Sequence, residues 1–218
     1  MGPVKLGGLY AITPDAADTD WLFRQVEAVL RGGARTLQYR NKSRDADLRL
    51  IQGRGLLALC RRYGAVFIVN DDVELTQVLG ADGVHLGGDD ASIASARAIL
   101  GPRLVGASCY DSLARALHAQ REGADYVAFG SFFPSLTKPY AVRAPIELLQ
   151  AARTQLDLPI VAIGGITLSN AATLIDAGAD AVAVVSALFE APEAGAAARA
   201  FSRRFDAQQI QPRFASHV

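Results

Sequence analysis

GADGVHLGGDD, residues 80–90, spells out a helix end, a strand and a strand exit in order. Gly80 supplies the left-handed residue that ends a helix. Ala81 allows close packing beneath the strand that follows. The run DGVHLG, 82–87, is apolar and too short for a helix. Beyond it, a core strand gives way to two carboxylates, Asp89 and Asp90. The same junction returns at Gly123-Ala124-Asp125 and Gly178-Ala179-Asp180, and as Gly33-Ala34-Arg35. An echo of this kind marks a repeated β-α unit.

Working outward, short runs rich in Val, Ile or Leu recur along the chain. They are GLYAIT (8–13), ARTLQYR (34–40), VFIVN (66–70), DGVHLG (82–87), RLVGAS (103–108), DYVAFG (125–130), PIVAIGG (159–165) and DAVAVVS (180–186). Helical spacing lies between them: Trp21, Val26, Val29 and Leu30, then Leu48 to Tyr63, Ala94 to Leu100, Ser112 to Glu122, Ile146 to Gln155 and Asn170 to Ala177. Eight β-α units in 218 residues read as a single-domain (β/α)8 TIM barrel of class α/β, over residues 1–205. A doubly wound sheet would use five or six strands and a GxGxxG first turn, which is absent. The end, RRFDAQQIQPRFASHV, loses apolar periodicity and reads as a frayed tail, with the boundary set at 206–218.

Totals exclude several classes. Apolar residues make up 50% and charged residues 20%, as in ordinary globular proteins. The 22 basic and 22 acidic side chains cancel, so there is no electrostatic footprint for nucleic acid or an anionic membrane. The N-terminus lacks the apolar core of a signal peptide, and no run is long enough to span a bilayer. Cys60 and Cys109 form neither a metal motif nor a disulfide framework. A cytoplasmic protein acting on small molecules is the expectation, with room for a homo-oligomer.

In a (β/α)8 barrel, chemistry sits at the C-terminal ends of the strands. After the second run come Gln38, Arg40 and Lys42, which share one face if the strand persists. Two cations and an amide suit an anionic ligand such as a phosphate. After the third come Asn70, Asp71 and Asp72, and after the fourth Asp89 and Asp90. Hard oxygen ligands from two neighbouring loops make a Mg2+ site, completed by waters and a substrate phosphate. One Asp of each pair can serve the metal while the other caps the next helix, as Asp72 does before Val73-Glu74-Leu75. The structural alternative is that both pairs are caps and nothing more.

After the fifth run Ser108 can donate to a phosphate, whereas Cys109 has no base to activate it. His85, within the fourth, reads as a packed structural histidine. After the sixth, SFFPSLTKPY places small hydroxyls and Lys138 in an irregular segment long enough for a lid. After the seventh, Gly164-Gly165 lets a ligand approach backbone N–H groups. The eighth ends at Val184-Val185-Ser186 and enters a short helical stretch. Phosphate sites in these barrels are often built after strands seven and eight. Physical reasoning thus yields a neutral phosphate cradle facing a cationic, Mg2+-assisted site, a layout for one monophosphate and one diphosphate.

The motifs LYAITPD, QYRNK, VNDDVEL, GADGVHLGGDD, VGASC, GADYVAFGSFFPSLTK, PIVAIGGI and AVAVVSALF, in this order, resemble the thiamine phosphate synthase (thiamine-phosphate pyrophosphorylase) family over roughly residues 8 to 190. The resemblance implies that Gln38, Arg40, Lys42 and Asn70 hold an aminopyrimidine diphosphate. It implies Asp71 and Asp90 as Mg2+ ligands, and Ser108 and Lys138 as contacts to the pyrimidine substrate or its diphosphate. It assigns Ser135, Thr137, Gly165, Val185 and Ser186 to a thiazole phosphate. Arg40, Lys42, Lys138 and Ser108 would act on the reacting groups, as a ring nitrogen displaces pyrophosphate from the pyrimidine methylene. Two positions depart from the family: Asn41 stands where Glu is usual, and Ser135 where Thr is usual. The rivals are a thiazole tautomerase, which needs neither diphosphate site nor metal, a non-catalytic phosphate binder, and a phosphosugar isomerase, which would want a base facing the substrate carbon.

Overall fold

The computed structural model describes residues 6–88, 90–134 and 142–209. Eight parallel strands close into a barrel in sequence order: β1 Gly8–Ile12, β2 Thr36–Tyr39, β3 Val66–Asn70, β4 Gly83–Leu86, β5 Leu104–Tyr110, β6 Tyr126–Phe129, β7 Ile160–Ile163 and β8 Ala181–Val184. The helices are α1 Thr19–Arg31, α2 Ala46–Tyr63, α3 Val73–Leu79, α4 Ile93–Leu100, α5 Leu113–Arg121, α6 Glu147–Gln155, α7 Ala171–Asp176, α8 Ser186–Phe189 and α9 Ala194–Gln209. This is the single-domain (β/α)8 barrel that the repeated junctions predict.

Each junction ends its helix as the sequence implies. At Gly80 the backbone turns left-handed, φ 67°, and its N–H returns to the carbonyls of α3. The Asp of each junction has a second use. Asp82, Asp125 and Asp180 accept the backbone N–H of Phe67, Val105 and Ile160, 2.7–2.8 Å away on the preceding strand. Each also pairs with an arginine from the last turn of the helix before that strand: Arg61, Arg97 and Arg153. One carboxylate therefore ties two strands and a helix together at the N-terminal rim. At Arg35 the repeat breaks, since a cation cannot accept an N–H.

Alternation splits the strands into two faces. Leu37, Tyr39, Phe67, Val69, Val127 and Val182 face the helices and form the main core. Tyr10, Ile12, Tyr126, Ala128, Val161 and Ala183 fill the interior of the barrel. Small residues make room for large ones there. A Cβ on Gly106 would lie 2.0 Å from Cζ of Tyr126, so only glycine accommodates that ring.

Helix α9 was not anticipated, and it continues through Gln209, past the point where the sequence suggests a tail. Its buried face is Ala194, Ala198 and Phe201, at helical spacing but carried largely by alanine. It packs on α1 so closely that a Cβ on Gly32 would meet Cβ of Ala198 at 2.5 Å.

Candidate active site

β2 stops at Tyr39, so Gln38, Arg40 and Lys42 do not form one strand face. Gln38 is buried inside the barrel and donates to the Tyr10 hydroxyl at 2.8 Å. Arg40 and Lys42 lie on the following loop at the C-terminal mouth. The turn after β1 holds them there. Thr13 Oγ1 both accepts from the Arg40 N–H and donates to its carbonyl, each at 2.9 Å. Asp15 receives the Arg40 guanidinium and the Lys42 N–H, each at 2.7 Å. Thr13 and Asp15 carry no local signal of this role, because the residues they hold lie 25 or 27 positions further along the chain.

Asn41 has its own task. Its amide donates to Gln52 Oε1 at 2.8 Å, and its carbonyl accepts the Ser43 N–H at 2.8 Å. Gln52, fully buried in α2, also accepts from the Tyr39 hydroxyl and donates to the Ala16 carbonyl. Asn41 thus pins the loop carrying both cations to α2 and to the β1–α1 turn.

At the exit of β3 the two acidic residues divide their roles. Asp72 caps α3 by accepting the Leu75 N–H at 2.8 Å, as the sequence indicates, and pairs with Arg49. Asp71 takes a left-handed backbone, φ 63°, uncommon for a residue with a side chain. Its Oδ2 receives Lys42 Nζ and Asn70 Nδ2, each at 2.6 Å. At the exit of β4, Asp90 Oδ2 accepts the Gly87 N–H at 2.6 Å. The cap of α4 is Ser92 rather than an aspartate, which corrects that part of the expectation. Asp89 lies outside the described residues.

Asp71 and Asp90, at the exits of adjacent strands, influence one another's ionisation. Burial alone would raise the Asp71 carboxyl, but hydrogen bonds from Lys42, Asp90 and Asn70 outweigh it and hold the group below its usual range. Asp90 is held above its usual range, by burial and then by the charge and hydrogen bond of Asp71. Two carboxylates that interact in this way are relieved by a proton or a cation shared between them.

Ser108 sits on β5 and bonds His85 Nε2 at 2.9 Å. His85 is inward-facing and buried, in register with Asn70 on one side and Gly106 on the other. Cys109, one residue on, is buried with its thiol pushed up to about 12 by burial, as is Cys60. Neither is a nucleophile at neutral pH.

The opposite rim is built from β6, β7 and β8. Gly164 and Gly165 both have positive φ, 100° and 62°. Their closest neighbours belong to the loop after β6: a Cβ on Gly165 would lie 2.2 Å from the Pro134 carbonyl oxygen. The glycines therefore admit that loop, a reason the sequence did not suggest. Phe132 and Phe133 donate backbone N–H groups to Ile163 and Gly164 at 3.2 and 3.1 Å. Phe132 is buried and Phe133 packs on the core, which accounts for those aromatics. Val185 precedes α8 and Ser186 opens it. Ser135, Thr137 and Lys138 lie outside the described residues, so their assignments stay with the sequence resemblance.

Among the described residues there is no group of three or more His, Cys, Asp or Glu suited to a metal ion. No helix among them is long and apolar enough to cross a membrane.

Fold and site together define a (β/α)8 barrel whose C-terminal mouth sets cations and paired carboxylates opposite a glycine-rich rim. A sequence profile of the thiamine monophosphate synthase family matches residues 9–188. The thiamine-phosphate synthase of Thiobacillus denitrificans is 58% identical over 203 residues, covering 93% of this chain and 96% of that protein. That of Aromatoleum aromaticum is 55% identical over 208 residues, covering 95% and 100%. The solved thiamine phosphate pyrophosphorylase of Pyrococcus furiosus superposes with a TM-score of 0.84 at 34% identity, covering 92% and 96% of the two chains. The chain belongs to the thiamine monophosphate synthase family.

Proposed function

We propose that the protein is a thiamine-phosphate synthase of thiamine biosynthesis. It transfers the 4-amino-2-methylpyrimidin-5-ylmethyl group from its diphosphate to the nitrogen of 4-methyl-5-(2-phosphooxyethyl)thiazole. The products are thiamine phosphate and pyrophosphate. Family membership supports the activity. The observation that carries the finer reading is the contiguous cluster of Lys42, Asn70, Asp71 and Asp90 at adjoining strand ends.

The thiazole nitrogen brings its own lone pair, so no general base is required. Its attack forms the C–N bond as the C–O bond to the diphosphate breaks, and that electron pair leaves on pyrophosphate. The protein's work is orientation and stabilisation of the departing negative charge. Lys42 and Arg40, held by Asp71, Thr13 and Asp15, are placed to meet that charge. Gln38, Asn70 and Ser108 contribute donors around the pyrimidine side, and Lys138 a further cation. Gly165, Val185, Ser186, Ser135 and Thr137 serve the thiazole phosphate.

The donor set fits Mg2+. Asp71 and Asp90 offer hard oxygen donors from adjoining strand ends, and Mg2+ usually takes one or two carboxylates and completes its shell with water and substrate phosphate. Bound there, it would supply positive charge against the leaving pyrophosphate.

The test is direct. The purified protein is mixed with both substrates, with and without Mg2+, and thiamine phosphate and pyrophosphate are assayed together. Equal, Mg2+-dependent formation of both is expected. Isomerisation of a thiazole phosphate precursor without pyrophosphate release would replace this reading with the tautomerase.

A further inference from the structure

A chain of hydrogen bonds crosses the inside of the barrel. It runs from Gln38 Nε2 to the Tyr10 hydroxyl (2.8 Å), to the Tyr126 hydroxyl (2.9 Å), to His85 Nδ1 (3.1 Å), and from His85 Nε2 to Ser108 Oγ (2.9 Å). Five strands contribute one residue each: β2, β1, β6, β4 and β5. Gln38, Tyr10, Tyr126 and His85 are all buried. The rings are also packed, with Tyr126 at 6.2 Å from Tyr10 and stacked on His85 at 5.5 Å between centroids.

With the Gln38 amide nitrogen as the donor at one end, the direction of each bond along the chain follows. An amide nitrogen can only donate, so the Tyr10 oxygen accepts from Gln38. The one proton on Tyr10 then goes to its other partner, Tyr126. Tyr126, having accepted, gives its own proton to His85 Nδ1. That nitrogen must therefore be bare, and the ring proton sits on Nε2, where it donates to Ser108. A doubly protonated ring would reverse the Tyr126 and Tyr10 protons and leave Tyr10 with no acceptor. Both tyrosines are held well above their usual range by burial, so they keep their protons throughout the physiological range.

We propose that Tyr10, Tyr126 and His85 are positioning residues, forming a one-way relay that makes Ser108 an obligatory hydrogen-bond donor toward the ligand. The consequence is electrostatic. A serine that spent its proton on His85 would present lone pairs to an anionic diphosphate and repel it. A serine that has already accepted from His85 presents its proton, and a hydrogen bond to a charged oxygen is among the stronger ones. Register supports the placement. His85 is level with Gly106, and Ser108 stands two residues further along β5, one inward-facing rung nearer the mouth. Gly106 is part of the device, because its missing Cβ is where the Tyr126 ring lies. The relay also orients Gln38, so both of its ends are residues assigned to the pyrimidine substrate.

The activity arm of this inference rests on the proposed function, whereas its spectroscopic arm does not. Long-range 1H–15N correlation spectra of 15N-histidine protein at neutral pH would show His85 as the neutral Nε2–H tautomer, assigned by loss of its signals in His85→Asn. A proton on Nδ1, or on both nitrogens, overturns the relay whatever the protein's activity. In Tyr126→Phe the bond to Nδ1 is gone, and the single-tautomer pattern should give way to a mixture. If synthase activity is present, Tyr126→Phe and Ser108→Ala should each lower kcat about tenfold, the order of one hydrogen bond's contribution. The double variant should fall no further, since both substitutions remove the same interaction. Independent losses that multiply would mean Tyr126 acts by packing alone, and would overturn the proposal. Absence of synthase activity in the wild type would sink the functional reading and leave the tautomer measurement to decide the relay.

Discussion

Lys42 Nζ lies 2.6 Å from Asp71 Oδ2 and joins the exit of β2 to the exit of β3. The lysine side chain is 56% exposed, and an ion pair so open to water adds about 1 kcal/mol or less to folding. Its significance is spatial. It sets a cation beside a carboxylate whose ionisation also responds to Asp90.

Asp71→Asn and Asp90→Asn should therefore separate activity from stability. Each is expected to lower turnover on the order of a hundredfold while leaving the fold unchanged. Pyrophosphate release and circular dichroism, measured side by side across a Mg2+ titration, check this. Full turnover in either variant would overturn the proposed metal assignment.

The junction aspartates predict the reverse. Asp125→Ala breaks the pair with Arg97 and strips the Val105 N–H of its acceptor. A loss of about 2 to 4 kcal/mol in urea unfolding is expected, from one charge-assisted hydrogen bond and one buried donor left unpaired. Substrate KM at 25 °C should not change, because the residue sits at the opposite rim from the site. A loss within experimental error would mean the bridge contributes nothing to the fold.

Gly165→Ala should act on one substrate only. The new methyl group meets the Pro134 carbonyl at 2.2 Å, on a backbone already at φ 62°. The loop after β6 must shift, so the KM for the thiazole phosphate should rise about tenfold or more. The KM for the pyrimidine diphosphate should stay near wild type. Equal changes in both would show that the loop serves the whole mouth rather than its glycine-rich side.

Cys60 and Cys109 should resist alkylation. Burial pushes both thiols up to about 12, so the reactive thiolate is scarce until pH approaches that value. Iodoacetamide at pH 8 should label neither in the native protein and both in urea. Rapid native labelling of Cys109 would reveal a thiolate beside Ser108 and reopen its role.

Asn41 illustrates where local reading ends. From the sequence it is a lost charge between two cations. In the fold it is a donor to Gln52 and an acceptor from Ser43, tying the cation loop to α2. Nothing in the spacing of residues 41 and 52 announces that contact.

The eight strands, their helices and the acids at the strand exits were legible because each is a local signal. Periods of two and 3.6 residues, glycine junctions and cap residues are written within a few positions of one another, and the barrel rule turns a strand exit into a place at the mouth. Helix α9 was less visible because alanine carries much of its buried face, so apolar contrast was weak. The cross-barrel contacts were not legible at all. Tyr10 and Tyr126 are 116 residues apart yet share a 2.9 Å hydrogen bond. Which inward side chains reach one another across a closed barrel depends on the stagger of all eight strands together. Sequence alone settled what kind of residue leaves each strand. Only closure of the sheet decided that Gln38 meets Tyr10, that His85 stands beneath Ser108, and that Lys42 reaches Asp71.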